Sequence, residues 1–222
     1  MPRRQIILWG LISRQPRWGL TIKGWLGVLA AIALAVWLLL FKLQPFLAYT
    51  HAIDEAELLI VEGWIGDDGI IGAMAEFERK PYQLLITTGS NLSHGEYLSQ
   101  YKDFAHLTEA TLITLGFNPQ KIKALPTPLT KRNRTLTAAL EVKRWLVQNL
   151  NFKTVNVYSQ DVHSRRSWLL YSQALEPETR VGVIAHPPLD YDPQTWWASS
   201  EGSKEVVTEA LAYIYAKFLF SY

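Results

Sequence analysis

The 222-residue chain contains no cysteine. That absence removes disulfides, thiolate nucleophiles and cysteine-type zinc sites together, although it leaves the compartment open. Acid is missing from one region as well. Residues 1–50 hold Arg3, Arg4, Arg14, Arg17, Lys23 and Lys42 and neither Asp nor Glu. With six of the 22 basic side chains there, the remaining 172 residues keep 16 against 20 acids, so a basic tail precedes a mildly acidic body. A nucleic-acid binder carries its positive charge on the folded domain, which argues against that class. Internal repeats and low-complexity runs are absent too. The histidines at 51, 94, 106, 163 and 186 show no metal-ligand spacing, and no metal site is expected.

Charge is also absent from the 18 residues "GWLGVLAAIALAVWLLLF", Gly24 to Phe41. As a helix this stretch reaches about 27 Å, close to the hydrocarbon core of a bilayer. It has no polar face to suit a core helix and no small-x-small site to suit a cleaved signal peptide. Residues 24–45 are therefore expected to be a single transmembrane anchor, with the lipid bilayer as partner and Trp25 and Trp37 toward its ends. Five basic residues precede the stretch and only Lys42 closely follows it. The positive-inside rule then puts residues 1–23 in the cytoplasm and the domain of residues 46–222 outside it, on a plasma (inner) membrane.

Beyond an expected linker at Phe46–Asp54, apolar runs alternate with helical patterns. Strands are expected at Glu57–Trp64, Gln83–Ser90, Ile122–Pro128, Thr154–Ser159 and Arg180–Ala185. Helices are expected at Gly69–Lys80, in a long stretch closing at Gly116, at Arg134–Asn149 and from Ser164 onward. A final helix, capped by Ser203, is expected to bury Val207, Ala210, Leu211, Ile214 and Phe218. Apolar strands alternating with helices predict an α/β fold: a Rossmann-like, doubly wound parallel sheet of five strands. Ligands bind such sheets at the C-terminal strand ends, near the point where strand order reverses.

Those ends carry the chemistry. "SQDVHSRRS" brings Asp161, His163, Arg165 and Arg166 to a strand-to-helix turn. Cations are disfavoured at a helix N-terminus because the macrodipole is already positive there, so an anion is expected beside them. The bland alternative is an ion pair with a local carboxylate such as Asp161. "KRNRT", Lys131 to Thr135, repeats the pattern before the next helix and offers Arg134 and Thr135 to the same anion. "TTGSN" supplies Thr88, Gly89 and Ser90 as a phosphate cradle without the Lys-Ser/Thr pair of a Walker loop. "VEGW" supplies Glu62, Gly63 and Trp64. His163 and Glu62 are the candidates for acid–base work. Asp67 and Asp68 suit capping of the next helix better than a metal. At least one of Trp196 and Trp197 is expected in the core.

The chain from about Glu57 to Phe218 resembles the ElyC/SanA/YdcF family. The matching pieces are "VEGW", "TTG", "RNRT", "HSRRS", "VGVIA" and "WWASSEG", the last followed by a helix that contains Glu209 and "AYIYAKF". The His-x-x-Arg element at His163 and Arg166 is the most specific part. Where many members carry Thr-x-Glu-Asn, this chain reads Thr135-Leu136-Thr137-Ala138. The resemblance implies a Rossmann-like domain behind one membrane anchor, working in cell-envelope biogenesis on peptidoglycan or lipid-carrier steps. The expected ligand is an anionic small molecule or a lipid-linked, phosphate-bearing precursor. The alternatives are a binding module for a nucleotide-like molecule such as S-adenosylmethionine, associated with one soluble member, and an assembly factor. The residues leave turnover open and name no cofactor.

Overall fold

A computed structural model describes residues 5–7, 12–14, 18–92, 98–130, 132–149 and 151–219. His94 and Lys131, and Arg3, Arg4 and Arg17 of the tail, lie outside these residues. The chain forms two compact units, Met1–Leu43 and Gln44–Tyr222.

The first unit contains a small antiparallel sheet of β1 (Gln5–Ile7), β2 (Ile12–Arg14) and β3 (Trp18–Leu20), followed by most of helix α1 (Ile22–Leu47). The stretch read as a basic tail thus carries strands of its own. Helix α1 is long and apolar enough to cross a membrane, and none of its most apolar stretch is buried in protein. Its 26 residues reach about 39 Å at 1.5 Å each.

The second unit is the predicted sheet. Five parallel strands, β4 (Leu58–Glu62), β5 (Leu84–Gly89), β6 (Ile122–Pro126), β7 (Thr154–Gln160) and β8 (Arg180–His186), run in the order β6-β5-β4-β7-β8. The order reverses between β4 and β7, which fixes the switch point there. Alternation along β4 divides the core. Leu58 and Ile60 face α4 (Arg134–Gln148) and α5 (Ser164–Leu175), while Leu59 and Val61 face α2 (Asp67–Arg79) and α3 (Phe104–Thr114). Both faces are covered, as strands without polar alternation require. Helix α3 ends as expected, with Gly116 at φ 100°, where only glycine is unstrained.

Two expectations are corrected. Phe46–Asp54 is not a linker. The helix runs on to Leu47, which is 1% exposed. His51 then bridges Val183 of the β8 edge, and buried Asn156 of β7 holds both the N–H and the C=O of Ile53, each at 2.9 Å. The final helix, α6 (Ser200–Ile214), is capped by Ser199 and not Ser203; the Ser199 hydroxyl accepts from the Gly202 amide at 3.0 Å. Its buried stripe is Val206, Glu209 and Tyr213, continuing to Ala216, whereas Val207, Leu211, Ile214 and Phe218 are exposed. The expected stripe lies one residue, or about 100°, from the buried one. Of the tryptophan pair, Trp196 is buried.

Candidate functional site

The C-terminal ends of β4, β5 and β7 open into a cavity of about 1060 Å³, bounded also by the starts of α4 and α5 and by α6. Parallel register sets Glu62 beside Thr88 at its base. Of the expected residues, Glu62, Trp64, Thr88, Gly89, Ser90, Arg134, Thr135, Asp161, His163 and Arg166 line it. Gly63 and Arg165 do not.

Gly63 has a packing role. A Cβ there would lie 2.7 Å from the carbonyl oxygens of both Phe104 and Thr88, so glycine lets β4 close against α3 and β5. Arg165 turns away from the cavity. Its guanidinium donates to the Phe46 carbonyl and stacks 4.0 Å from the Phe46 ring and 4.1 Å from that of Tyr49. Cation–π contact with an apolar segment satisfies it without an anion.

Arg166 does meet an anion, and the protein supplies it. The Arg166 Nε and one terminal nitrogen each donate to Glu209 of α6 at 2.9 Å, a two-pronged pair. The partner is therefore neither a ligand phosphate nor Asp161. Burial raises the Glu209 pKa, but hydrogen bonding and charge from His163, then from Arg166, outweigh it and hold it at about 2. Glu209 is thus ionised across the physiological range.

His163 stands between two carboxylates. Its Nδ1 lies 3.0 Å from Glu209 Oε1, and its Nε2 lies 3.4 Å from the Thr135 hydroxyl and 3.8 Å from Glu62 Oε2. A terminal nitrogen of Arg166 lies 2.9 Å from the same Nδ1; with its proton on Nδ1 the neutral ring donates to Glu209, which as a carboxylate only accepts, and Nε2 then keeps its lone pair toward Thr135. Trp64 packs edge-on against the ring, centroids 4.5 Å apart, and stays 41% exposed. Glu62 is 1% exposed. Its Oε2 accepts from Ser159 at 2.5 Å and Ser167 at 2.9 Å, and its Oε1 has no partner among the described residues.

The remaining polar groups support this centre. Asp161, at φ 33°, accepts from Gln44 at 2.8 Å and from the Tyr191 hydroxyl. Burial raises its pKa, with those hydrogen bonds and the Val162 amide opposing. Both its oxygens are engaged, so it braces the turn before His163. Thr88 shares its hydroxyl between the Val61 carbonyl and buried Tyr171, at 3.5 and 3.4 Å. At the cavity edge, Asp68 pairs with His186 at 3.0 Å rather than capping α2 or joining a metal cluster; no such cluster occurs among the described residues.

The start of α4 differs from the other walls. Asn133 takes a left-handed conformation, φ 54°, and no side chain caps the helix. Arg134 is exposed at this lip and makes no ion pair among the described residues. Carboxylates also line the cavity from the segment before α6 and its first turns, at Asp190, Glu201 and Glu205, with Lys204 among them.

Ser159, Ser167, Tyr171, Tyr191 and Gln44 are functional neighbours that sequence reasoning missed. Helical spacing pointed to one of them, since Ser167 lies one turn beyond His163 on the face that carries Arg166 and Leu170. No family model matches the chain, and no curated protein matches it either.

Proposed function

We propose that the chain is a membrane-anchored protein of cell-envelope biogenesis whose domain, held outside the cytoplasm, processes a phosphate-bearing precursor built on a lipid carrier or a sugar. The observation that carries the chemical part is His163: Glu209 and Arg166 fix its Nδ1 side, and its Nε2 faces Thr135 and Glu62 at the sheet's switch point. That arrangement suits proton transfer, with Glu62 stabilising the imidazolium as it forms. The uncapped α4 terminus and Arg134 suit a phosphate. The envelope setting rests on the family resemblance and on the apolar helix α1.

A second reading, a binding module for a nucleotide-like molecule such as S-adenosylmethionine, draws on a different observation. Asp190, Glu201 and Glu205 suit a ligand with positive charge, and the exposed Trp64 ring suits a stacked base.

One experiment separates the two. The full chain in mild detergent is incubated with a polyprenyl diphosphate, a hexose 1-phosphate or p-nitrophenyl phosphate, and released phosphate is measured. Turnover is expected, falling about 10²–10⁴-fold in His163→Gln. If none of the three is hydrolysed while S-adenosylmethionine raises the melting temperature, the binding-module reading replaces the first.

A further inference from the structure

We propose that Thr135 is the nucleophile of this site and that phosphate transfer passes through a phosphothreonine. The proposal rests on the phosphate-processing reading above and specifies how it works.

A threonine hydroxyl is a weak nucleophile unless a base beside it takes the proton, and that base is effective when a third group orients it. All three parts are present. Thr135 lines the cavity and its hydroxyl lies 3.4 Å from His163 Nε2. Nδ1 of the same ring lies 3.0 Å from Glu209 Oε1, and Arg166 pairs with Glu209 while its terminal nitrogen lies 2.9 Å from Nδ1, so both groups orient the ring. The relation of hydroxyl, imidazole and carboxylate is that of a hydrolase triad, which is recognised by geometry and not by order in the chain. The Thr135–His163 separation is longer than an ideal hydrogen bond, as such pairs often are before substrate tightens them.

The hydroxyls nearest Glu62 are committed elsewhere. Ser159 and Ser167 donate to Glu62, and Thr88 is shared between Val61 and Tyr171. Thr135 is the one set against the imidazole. Its place in the first turn of α4 adds the second requirement, a home for developing negative charge. The first amides of a helix have no intrahelical acceptor, no side chain caps these, and Arg134 adjoins them.

The chemistry balances without a cofactor. Thr135 Oγ attacks phosphorus, an Oγ–P bond forms, and the bond from phosphorus to the leaving oxygen breaks. The threonine proton passes to His163 Nε2 and then to that leaving oxygen. In the second step water attacks the same phosphorus and gives its proton to Nε2. The Oγ–P bond breaks, and Thr135 recovers the proton. The sum is phosphate ester plus water giving alcohol plus phosphate, with no change of oxidation state. Glu209 is a positioning residue throughout, ionised at every pH where the site would work.

The test uses the full chain in detergent with two probes. With p-nitrophenyl phosphate and an acid quench, peptide mass analysis should find one phosphoryl group on Thr135. Turnover should survive in Thr135→Ser and fall more than about 100-fold in the near-isosteric Thr135→Val. An alkyl fluorophosphonate needs no matched substrate. Thr135 Oγ bonds phosphorus, fluoride leaves and Nε2 takes the proton, so label is expected on Thr135 in the wild type and in neither Thr135→Val nor His163→Gln. Hydrolysis as fast in Thr135→Val as in wild type, with Thr135 unlabelled, overturns the nucleophile and leaves the phosphate reading standing. Label on Thr135 without hydrolysis of any phosphate ester keeps the nucleophile and removes phosphate as its substrate. Neither label nor hydrolysis removes both.

Discussion

Replacing Glu209 by glutamine should loosen the packing of α6 on α5, and the structure sets both the size and the pH dependence of the effect. Glu209 has its pKa lowered from 4.5 to about 2. At about 1.4 kcal/mol per tenfold, that amounts to roughly 3 kcal/mol of folding stability near neutral pH. The side chains of Glu209 and Arg166 are 12% and 18% exposed, so solvent screening takes little from the figure. The folded pKa lies below the unfolded one. The contribution is therefore complete above about pH 4.5 and is lost as the pH falls toward 2, where the unfolded chain binds a proton that the folded chain refuses. Thermal unfolding of the full chain in detergent, followed by the near-ultraviolet dichroism of its tryptophans, should show Glu209→Gln melting roughly 6–12 °C below wild type at pH 7. The gap should close in acid. Adding Arg166→Met should recover part of the loss, because the glutamine variant leaves a guanidinium without its counter-charge. A deficit under about 1 kcal/mol at pH 7, or one that persists unchanged at pH 2–3, would refute the contacts of Glu209 with His163 and Arg166 as the clasp between these helices.

Two further outcomes follow from the same geometry. Arg165→Ala should lower the melting temperature by a few degrees, through loss of its contacts with Phe46 and Tyr49, and leave phosphate release unchanged; a loss of turnover beyond tenfold at equal stability would return Arg165 to the site. Reporters fused after Tyr222 should be active outside the cytoplasm and silent within it, and the opposite pattern would reverse the orientation inferred from the basic residues before α1.

The sheet was legible in the sequence because each strand is apolar and bounded by glycine, proline or polar residues, as at "LLIVE" before Gly63. The C-terminal strand ends followed from the parallel alternation, and with them Glu62, Thr88 and His163 at one end, whereas the strand order β6-β5-β4-β7-β8 that sets the switch point did not. The partner of Arg166 was harder to read. Glu209 lies 43 residues away on a helix whose hydrophobic pattern points elsewhere. Apolar Val207, Leu211 and Ile214 lie toward solvent, while a carboxylate occupies the inner face because the ion pair requires it there. Periodicity assumes that burial follows hydrophobicity, and α6 departs from that assumption at the functional site. Arg165 misled for a related reason. Adjacent helical residues point about 100° apart, and that turn carries Arg165 to the Phe46 and Tyr49 rings while Arg166 faces the cavity.

The tie between Gln44–Ile53 and the sheet bears on how this domain can be detached. Gln44 donates to Asp161, the Ser164 hydroxyl donates to the Leu47 carbonyl at 3.2 Å, and Ile53 is held by Asn156. A protease that cut anywhere in this stretch would not separate an intact domain from α1. It would remove a brace of the turn that presents His163 and leave the Asp161 carboxylate short of a donor. Release from α1 and disruption of the site are then one event, and a fragment that keeps the site intact has to begin at or before Gln44.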